Sequence, residues 1–280
     1  MKICLDAGHY AKYNRSPGIP EYWESERMWK LTELLAAALK KKGVTVVKTR
    51  SNQAVDMALV NRGKAAKGCD LFLSIHSNAV GNGMNESVDY PVAYVMLDGS
   101  STEIGLKLAE IVQNLMGTKQ KARTATRAGS SGGEYYGVLR GAKIAGVPGV
   151  ILEHSFHTNT KATNWLLSDD NLKKLAEAEA VCIADWLKKK AAEAPAKPTT
   201  SYKVEDALWF SKAYKKTYTV NASGLNMRTG AGEHKQIIKV LRRGDKFTCY
   251  GYFNKHDGSV WLYGVDKTGQ LGYCSKHYLK

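Results

Sequence analysis

Four side chains within the first 153 residues have the types to act together: His9, Glu24, His76 and Glu153. Imidazole and carboxylate groups are ligands that zinc takes, and a catalytic zinc site keeps three protein ligands and one position for water. Two histidines and one glutamate would complete that set. A second carboxylate beside it could take a proton from the water, whose pKa falls to about 7 on zinc. The chemistry of such a set is metal-assisted hydrolysis of an amide. The chain has no HExxH stretch, so its ligands are not paired on one helix.

Separate elements must therefore bring these residues together. Ile3, Cys4 and Leu5 form an apolar run that Asp6-Ala7-Gly8 breaks before His9. Leu71 to Ile75 runs straight into His76, and Val150 to Leu152 into Glu153. Each run reads as a buried strand, and in open α/β sheets ligands sit at the carboxyl ends of strands. A helix is expected from Tyr22 to Lys42, with Met28, Leu31, Leu34, Leu35, Ala38 and Leu39 at helical spacing. Glu24 lies one turn before Met28 on that inward face, whereas Glu26 is rotated away and Glu21 precedes the helix. Geometry thus prefers Glu24 as the third ligand.

Each residue also has an ordinary reading of its own. His9 could be a turn residue, His76 a satisfied strand end, and Glu24 a solvated acid favoured by the helix dipole. Glu153 could pair with a basic neighbour in the core. The agreement of all four at matching topological positions favours the joint site. Of the other histidines, His154 should face the opposite side of its strand from Glu153. His157 lies past the strand end, where it could contact substrate or shape a loop; His234, His256 and His277 read as surface residues.

Helix and strand signals alternate to about residue 190, which predicts an α/β fold: a twisted, mostly parallel sheet flanked by helices. Further strands are expected over Val44 to Thr49 and Val92 to Leu97, and helices over Ala54 to Lys67, Ser101 to Met116 and Asp169 to Lys190. Asn78 to Tyr90 and Thr118 to Gly137 read as long loops, the second as a groove rim. These elements make a catalytic domain of residues 1–190. Residues 191–215 follow as a linker, opening on AAEAPAKPTT, with Tyr202 to Lys215 ambiguous between linker and first element. Short strands and turns over 216–280 predict a second, small all-β barrel.

Composition narrows the function classes. At 44% apolar residues a packed core is expected. No stretch approaches the ~20 apolar residues of a membrane span, so no membrane insertion is expected. The apolar run at the start is too short for a signal peptide, so the protein is expected to stay in the cytoplasm until something else releases it. Five cysteines without a CxxC pair argue against a disulfide framework or a cysteine zinc knuckle. Net charge is +15, concentrated towards the C-terminus, which draws the chain to polyanions such as wall polymers, nucleic acid or anionic membrane. No base-reading motif supports nucleic acid.

At these residues the chain resembles the zinc-dependent N-acetylmuramoyl-L-alanine amidases. Asp6-Ala7-Gly8-His9 is similar to the family's D-x-G-H signature, and Glu24, Gly43, Thr49 and Arg50 fit its next spacing. Asp70 to Asn78 is similar to its D-L-F-V-S-I-H-A-N stretch. Leu152-Glu153-His154-Ser155-Phe156 with Thr158-Asn159 is similar to its catalytic strand. Met28, where the family often has Asn, and Tyr10-Ala11 after the histidine depart from the pattern. The resemblance spans about residues 1–187. It implies His9, Glu24 and His76 on Zn2+, Glu153 as general base, and cleavage of the muramoyl–L-alanine amide of peptidoglycan.

The C-terminal stretch resembles bacterial SH3-like wall-binding modules at Leu225 to Gly230, Trp261 to Val265 and Gly272 to Ser275. This implies Gram-positive cell-wall polymers as partners. The two modules together resemble a phage endolysin, held in the host cytoplasm until release. A bacterial autolysin or mother-cell lysis amidase has the same chemistry, and a non-catalytic wall-binding protein would share the architecture.

Overall fold

The structure, a computed structural model, describes residues 1–81, 83–193 and 202–280. The chain divides into two compact units, Met1–Pro195 and Ala196–Lys280. The first runs β1 (Lys2–Ala7), α1 (Glu24–Lys41), β2 (Thr45–Lys48), α2 (Leu59–Lys64), β3 (Leu71–Asn78), β4 (Val92–Val95), α3 (Thr102–Met116), β5 (Arg123–Ala125), α4 (Gly137–Ala145), β6 (Gly149–Phe156), α5 (Thr160–Leu167) and α6 (Asp169–Glu193).

These strands form one six-stranded sheet in the order β2-β1-β3-β6-β4-β5. β2, β1, β3 and β6 are parallel, β4 is antiparallel to β6, and β5 is parallel to β4. The sheet is thus parallel-rich and covered by helices, as the alternating pattern predicts. Side chains alternate across it. Ile3, Leu5, Leu73 and Leu152 join a large core with α1, α3 and α6. Cys4, Phe72 and Ile151 join a smaller one with Val138, Leu139 and Ala142 of α4. The chain leaves β1 towards β2 on one side and β3 on the other, so the carboxyl ends of β1 and β3 border a topological switch point.

Two local expectations are corrected. The helix expected over 54–67 is confined to Leu59–Lys64. Asn52 accepts the Ala54 amide at 2.9 Å, and Arg50 and Arg62 donate to the Val55 and Met57 carbonyls at 3.2 and 2.9 Å. Those backbone groups are therefore tied to side chains rather than to a helical ladder. The loop expected over 118–137 contains β5, which pairs with β4. Helices α4, which buries Val138, Leu139 and Ala142, and α5 are further elements, α5 being capped by Asn159, which accepts the Ala162 amide at 3.1 Å.

The second unit is antiparallel. It comprises β7 (Trp209–Phe210), a 3₁₀ turn (Lys212–Tyr214), β8 (Lys216–Thr219), β9 (Gly224–Arg228), β10 (Ile237–Arg242), β11 (Lys246–His256), β12 (Ser259–Asp266), β13 (Leu271–Ser275) and a second 3₁₀ turn (Lys276–Tyr278). Their order is β10-β9-β13-β12-β11-β7, with β8 also on β11. Leu225, Met227, Phe247, Leu262 and Cys274 lie in its core. Trp209 and Phe210, in the ambiguous stretch, pair with Phe253 and Tyr252 and so belong to this sheet. Residues 194–201 of the expected linker lie outside the described residues.

Candidate active site

His76 and Glu153 are register partners on adjacent parallel strands, so their side chains leave the sheet on the same face. His9 follows β1 after Gly8, whose amide donates to the Ile75 carbonyl at 2.9 Å. A Cβ at Gly8 would come within 2.6 Å of the His76 ring, so only glycine lets the β1 turn close against β3. His9 itself has φ 56° and Asn14 φ 54°, left-handed conformations that L-residues with side chains adopt only under constraint. Part of the constraint comes from Arg50, a buried residue whose guanidinium donates to the Ala7 and His9 carbonyls.

Glu24 opens α1 and is buried among these groups. Its Oε1 lies 2.9 Å from His76 Nδ1 and accepts the Ser77 amide at 3.1 Å. Its Oε2 lies 3.3 Å from His9 Nε2. Burial pushes the Glu24 carboxyl up, but hydrogen bonds from His76 and His9 outweigh it and hold it well below the usual range. Ligand atoms of His9, Glu24 and His76 all lie within 4.8 Å of one another. The structure brings these three sequence-predicted residues together.

The donor set fits a cation. Asn14 Nδ2 sits 2.9 Å from His9 Nε2 and 2.7 Å from Glu24 Oε2, and an amide NH2 offers only protons. Two acceptor atoms thus aim at one electropositive group, as they would at a metal. The ring of His76 is fixed from behind. Its Nε2 lies 3.1 Å from Ser74 Oγ, and Ser74 donates to Asp6 at 2.9 Å, so Nε2–H is the donor. Asp6 is fully buried and also accepts from Thr49 at 2.6 Å. This is the outer support that ligand histidines use to fix tautomer and orientation.

Glu153 is beside this group and differs from it. Its Oε2 is shielded from solvent and has no hydrogen-bond partner. No ion pair reaches Glu153 among the described residues, which removes the alternative of a basic core neighbour. Burial, and then the charge of Glu24, raise its pKa well above the ordinary value. A polar atom left unpaired in such a place costs stability and calls for a functional account.

Two more histidines brace the site. His154 faces the other side of β6, as strand alternation predicts: Nδ1 reaches the His76 carbonyl at 2.9 Å and Nε2 reaches Glu179 of α6 at 2.8 Å. His157 shapes the following turn, with Nδ1 3.1 Å from the Ser77 carbonyl, and burial lowers its pKa. Asn14, Arg50, Ser74 and Glu179 were not marked out by sequence as site residues. Asp6, Arg50 and Ser74 stood inside recognisable motifs; Asn14 and Glu179 carry no signal short of the fold.

An α/β sheet with a His–Glu–His group and an orphaned carboxylate at its carboxyl edge defines a hydrolase of the amidase type. Residues 3–185 match the N-acetylmuramoyl-L-alanine amidase family, and the chain belongs to it. It is an enzyme of peptidoglycan hydrolysis, acting on the amide between N-acetylmuramic acid and L-alanine. Solved structures share the fold. The amidase from Clostridium difficile 630 is 21% identical, with a TM-score of 0.57 over 68% of this chain and 97% of its own. An N-acetylmuramoyl-L-alanine amidase of Nostoc punctiforme is 25% identical, with a TM-score of 0.53 over 67% of this chain and 97% of its own. The catalytic domain of CwlV from Bacillus (Paenibacillus) polymyxa var. colistinus is 21% identical, with a TM-score of 0.53 over 67% and 98%. No curated protein matches the chain in sequence.

Proposed function

We propose that this amidase is zinc-dependent, with His9, Glu24 and His76 as metal ligands and Glu153 as general base. The observation that carries the reading is the convergence of three donor groups within 4.8 Å next to a carboxylate whose Oε2 is shielded and without a partner. Zinc held there would supply Lewis-acid polarisation of the lactyl carbonyl and a water of lowered pKa. Glu153 Oε2 takes the proton of the attacking water and returns it to the amine of L-alanine as the C–N bond breaks. Asp6 and Ser74 keep His76 in one tautomer, and Arg50 keeps the His9 turn in place.

The C-terminal unit is, in this proposal, an SH3-like module that holds the enzyme on Gram-positive walls. Its antiparallel sheet, basic charge and Leu225–Gly230 turn support that role. Linking two weak sites raises the effective concentration of the catalytic unit at its substrate. The modular pairing supports an endolysin that acts on the wall once the membrane is opened.

The test is Glu153→Gln against wild type on purified walls and on a soluble muropeptide, with products identified. New L-alanine amino termini without new reducing ends are expected for wild type. The variant should lose activity on the order of 10²–10⁴-fold while binding zinc as wild type does. Equal activity would remove Glu153 from the reaction. A wild type active after exhaustive metal removal would remove zinc.

A further inference from the structure

The three histidines of the C-terminal unit come from separate places in the chain and line one cleft. His234 lies between β9 and β10, His256 ends β11, and His277 lies in the 3₁₀ turn after β13. The cleft has a volume of about 440 Å³, with Trp261 and Tyr278 among its walls. The rings of His234 and His256 are 4.7 Å apart. A Cβ on Gly232 would come within 2.6 Å of one ring and 2.7 Å of the other, and Gly232 has φ +117°. Glycine is the residue that allows this backbone and this ring pair together.

Charge sets the cleft apart from its surroundings. From Thr217 onwards ten Lys and Arg residues accompany four carboxylates: Glu233, Asp245, Asp257 and Asp266. Asp245 pairs with Lys267 and Asp266 with Lys239. The other two, Glu233 and Asp257, both line the cleft. Neither has a lysine or arginine partner among the described residues. A basic unit therefore carries a concave spot where two carboxylates without lysine or arginine partners, Asp257 Oδ2 lying 3.0 Å from His256 Nε2, meet aromatic side chains and imidazoles. Carboxylates and aromatic faces are what an ammonium group takes, while imidazoles and the hydroxyls of Ser259 and Ser275 can bond peptide groups.

We propose that this cleft binds an amine-bearing peptide of peptidoglycan, its free amino group taken up by Glu233 and Asp257 beside the exposed ring of Tyr278. The inference rests on the C-terminal unit being a wall-binding module. It places the recognition in one site and names the group recognised. The remaining basic surface is left to contact anionic wall polymers without selecting among peptides.

The test is co-sedimentation of the full-length protein on ice with purified walls, their amines either free or acetylated. Wild type is expected to bind acetylated walls about tenfold more weakly, the loss of one good charge-assisted contact. Glu233→Gln with Asp257→Asn should bind both walls as weakly as wild type binds the acetylated ones. Both positions are exposed, and Asp257 has φ 47°, which asparagine tolerates. Cleavage of a soluble muropeptide should be unchanged in the variant, which reports an intact fold. Equal wild-type binding to both walls, or a variant that keeps the preference for free amines, would overturn the cleft as the site. A wild type that cleaves the muropeptide but binds no wall would overturn the wall-binding reading along with it.

Discussion

Asp6 is not among the proposed ligands, yet it governs how His76 is presented. Its carboxylate takes the Ser74 proton, and Ser74 in turn takes the His76 Nε2 proton. Removing the acceptor frees the serine to donate to the ring instead, which turns the tautomer around. Asp6→Asn is therefore expected to weaken zinc binding about 10–100-fold, measured by competition with a chromophoric chelator. Unchanged affinity would show that the relay has no part in holding the metal. At this scale the sequence was most legible. His9, His76 and Glu153 each end an apolar run, and helical phase singles out Glu24 from Glu21 and Glu26. Asn14 was illegible because its placement depends on a left-handed backbone that no glycine announces.

Helices α2 and α4 show a different limit. They cross where Gly63 and Gly141 meet: a Cβ on Gly141 would lie 2.1 Å from the Val60 carbonyl oxygen, and one on Gly63 2.0 Å from that of Val138. The glycines are there for close approach; the helix expected over Ala54 to Lys67 ran through Gly63, and α4 went unpredicted. Propensity alone would make Gly141→Ala more stable by about 1 kcal/mol. The crossing predicts the opposite sign, a loss on the order of 1–3 kcal/mol as the two helices are forced apart. Urea unfolding of the variant decides between them, and a raised midpoint would refute the close crossing. The strands were read better than the helices on this face, because β3 and β6 are buried on both sides and so appear as unbroken apolar runs.

For the molecule as a whole, all five thiols are protonated by burial. Cys4 is pushed up from 9.0 to about 12 and Cys182 to about 11, and Cys69, Cys249 and Cys274 move the same way. No disulfide links any of them. A folded state that keeps a proton the unfolded chain has lost is favoured below the unfolded pKa and loses that advantage as pH rises through the folded one. Stability should therefore hold to about pH 9 and decline between 9 and 12, by up to about 1.4 kcal/mol per pH unit for a fully buried thiol. Urea midpoints at pH 8 and pH 10.5 would show it, and equal midpoints would contradict the burial of these groups. The buried Tyr22 and Tyr273 hydroxyls act in the same direction. Both units were visible in the sequence as a change of period, but the membership of Trp209 and Phe210 was not, since a two-residue strand is too short to show one. The strand order has a consequence in time as well. β6 enters the sheet between β3 and β4, although β4 and β5 precede it in the chain. A growing polypeptide therefore cannot set Glu153 beside His76 until nearly the whole catalytic unit has been synthesised. Until then β3 waits with an open edge, and on the proposed role of Glu153 every shorter nascent chain would be inert towards the wall.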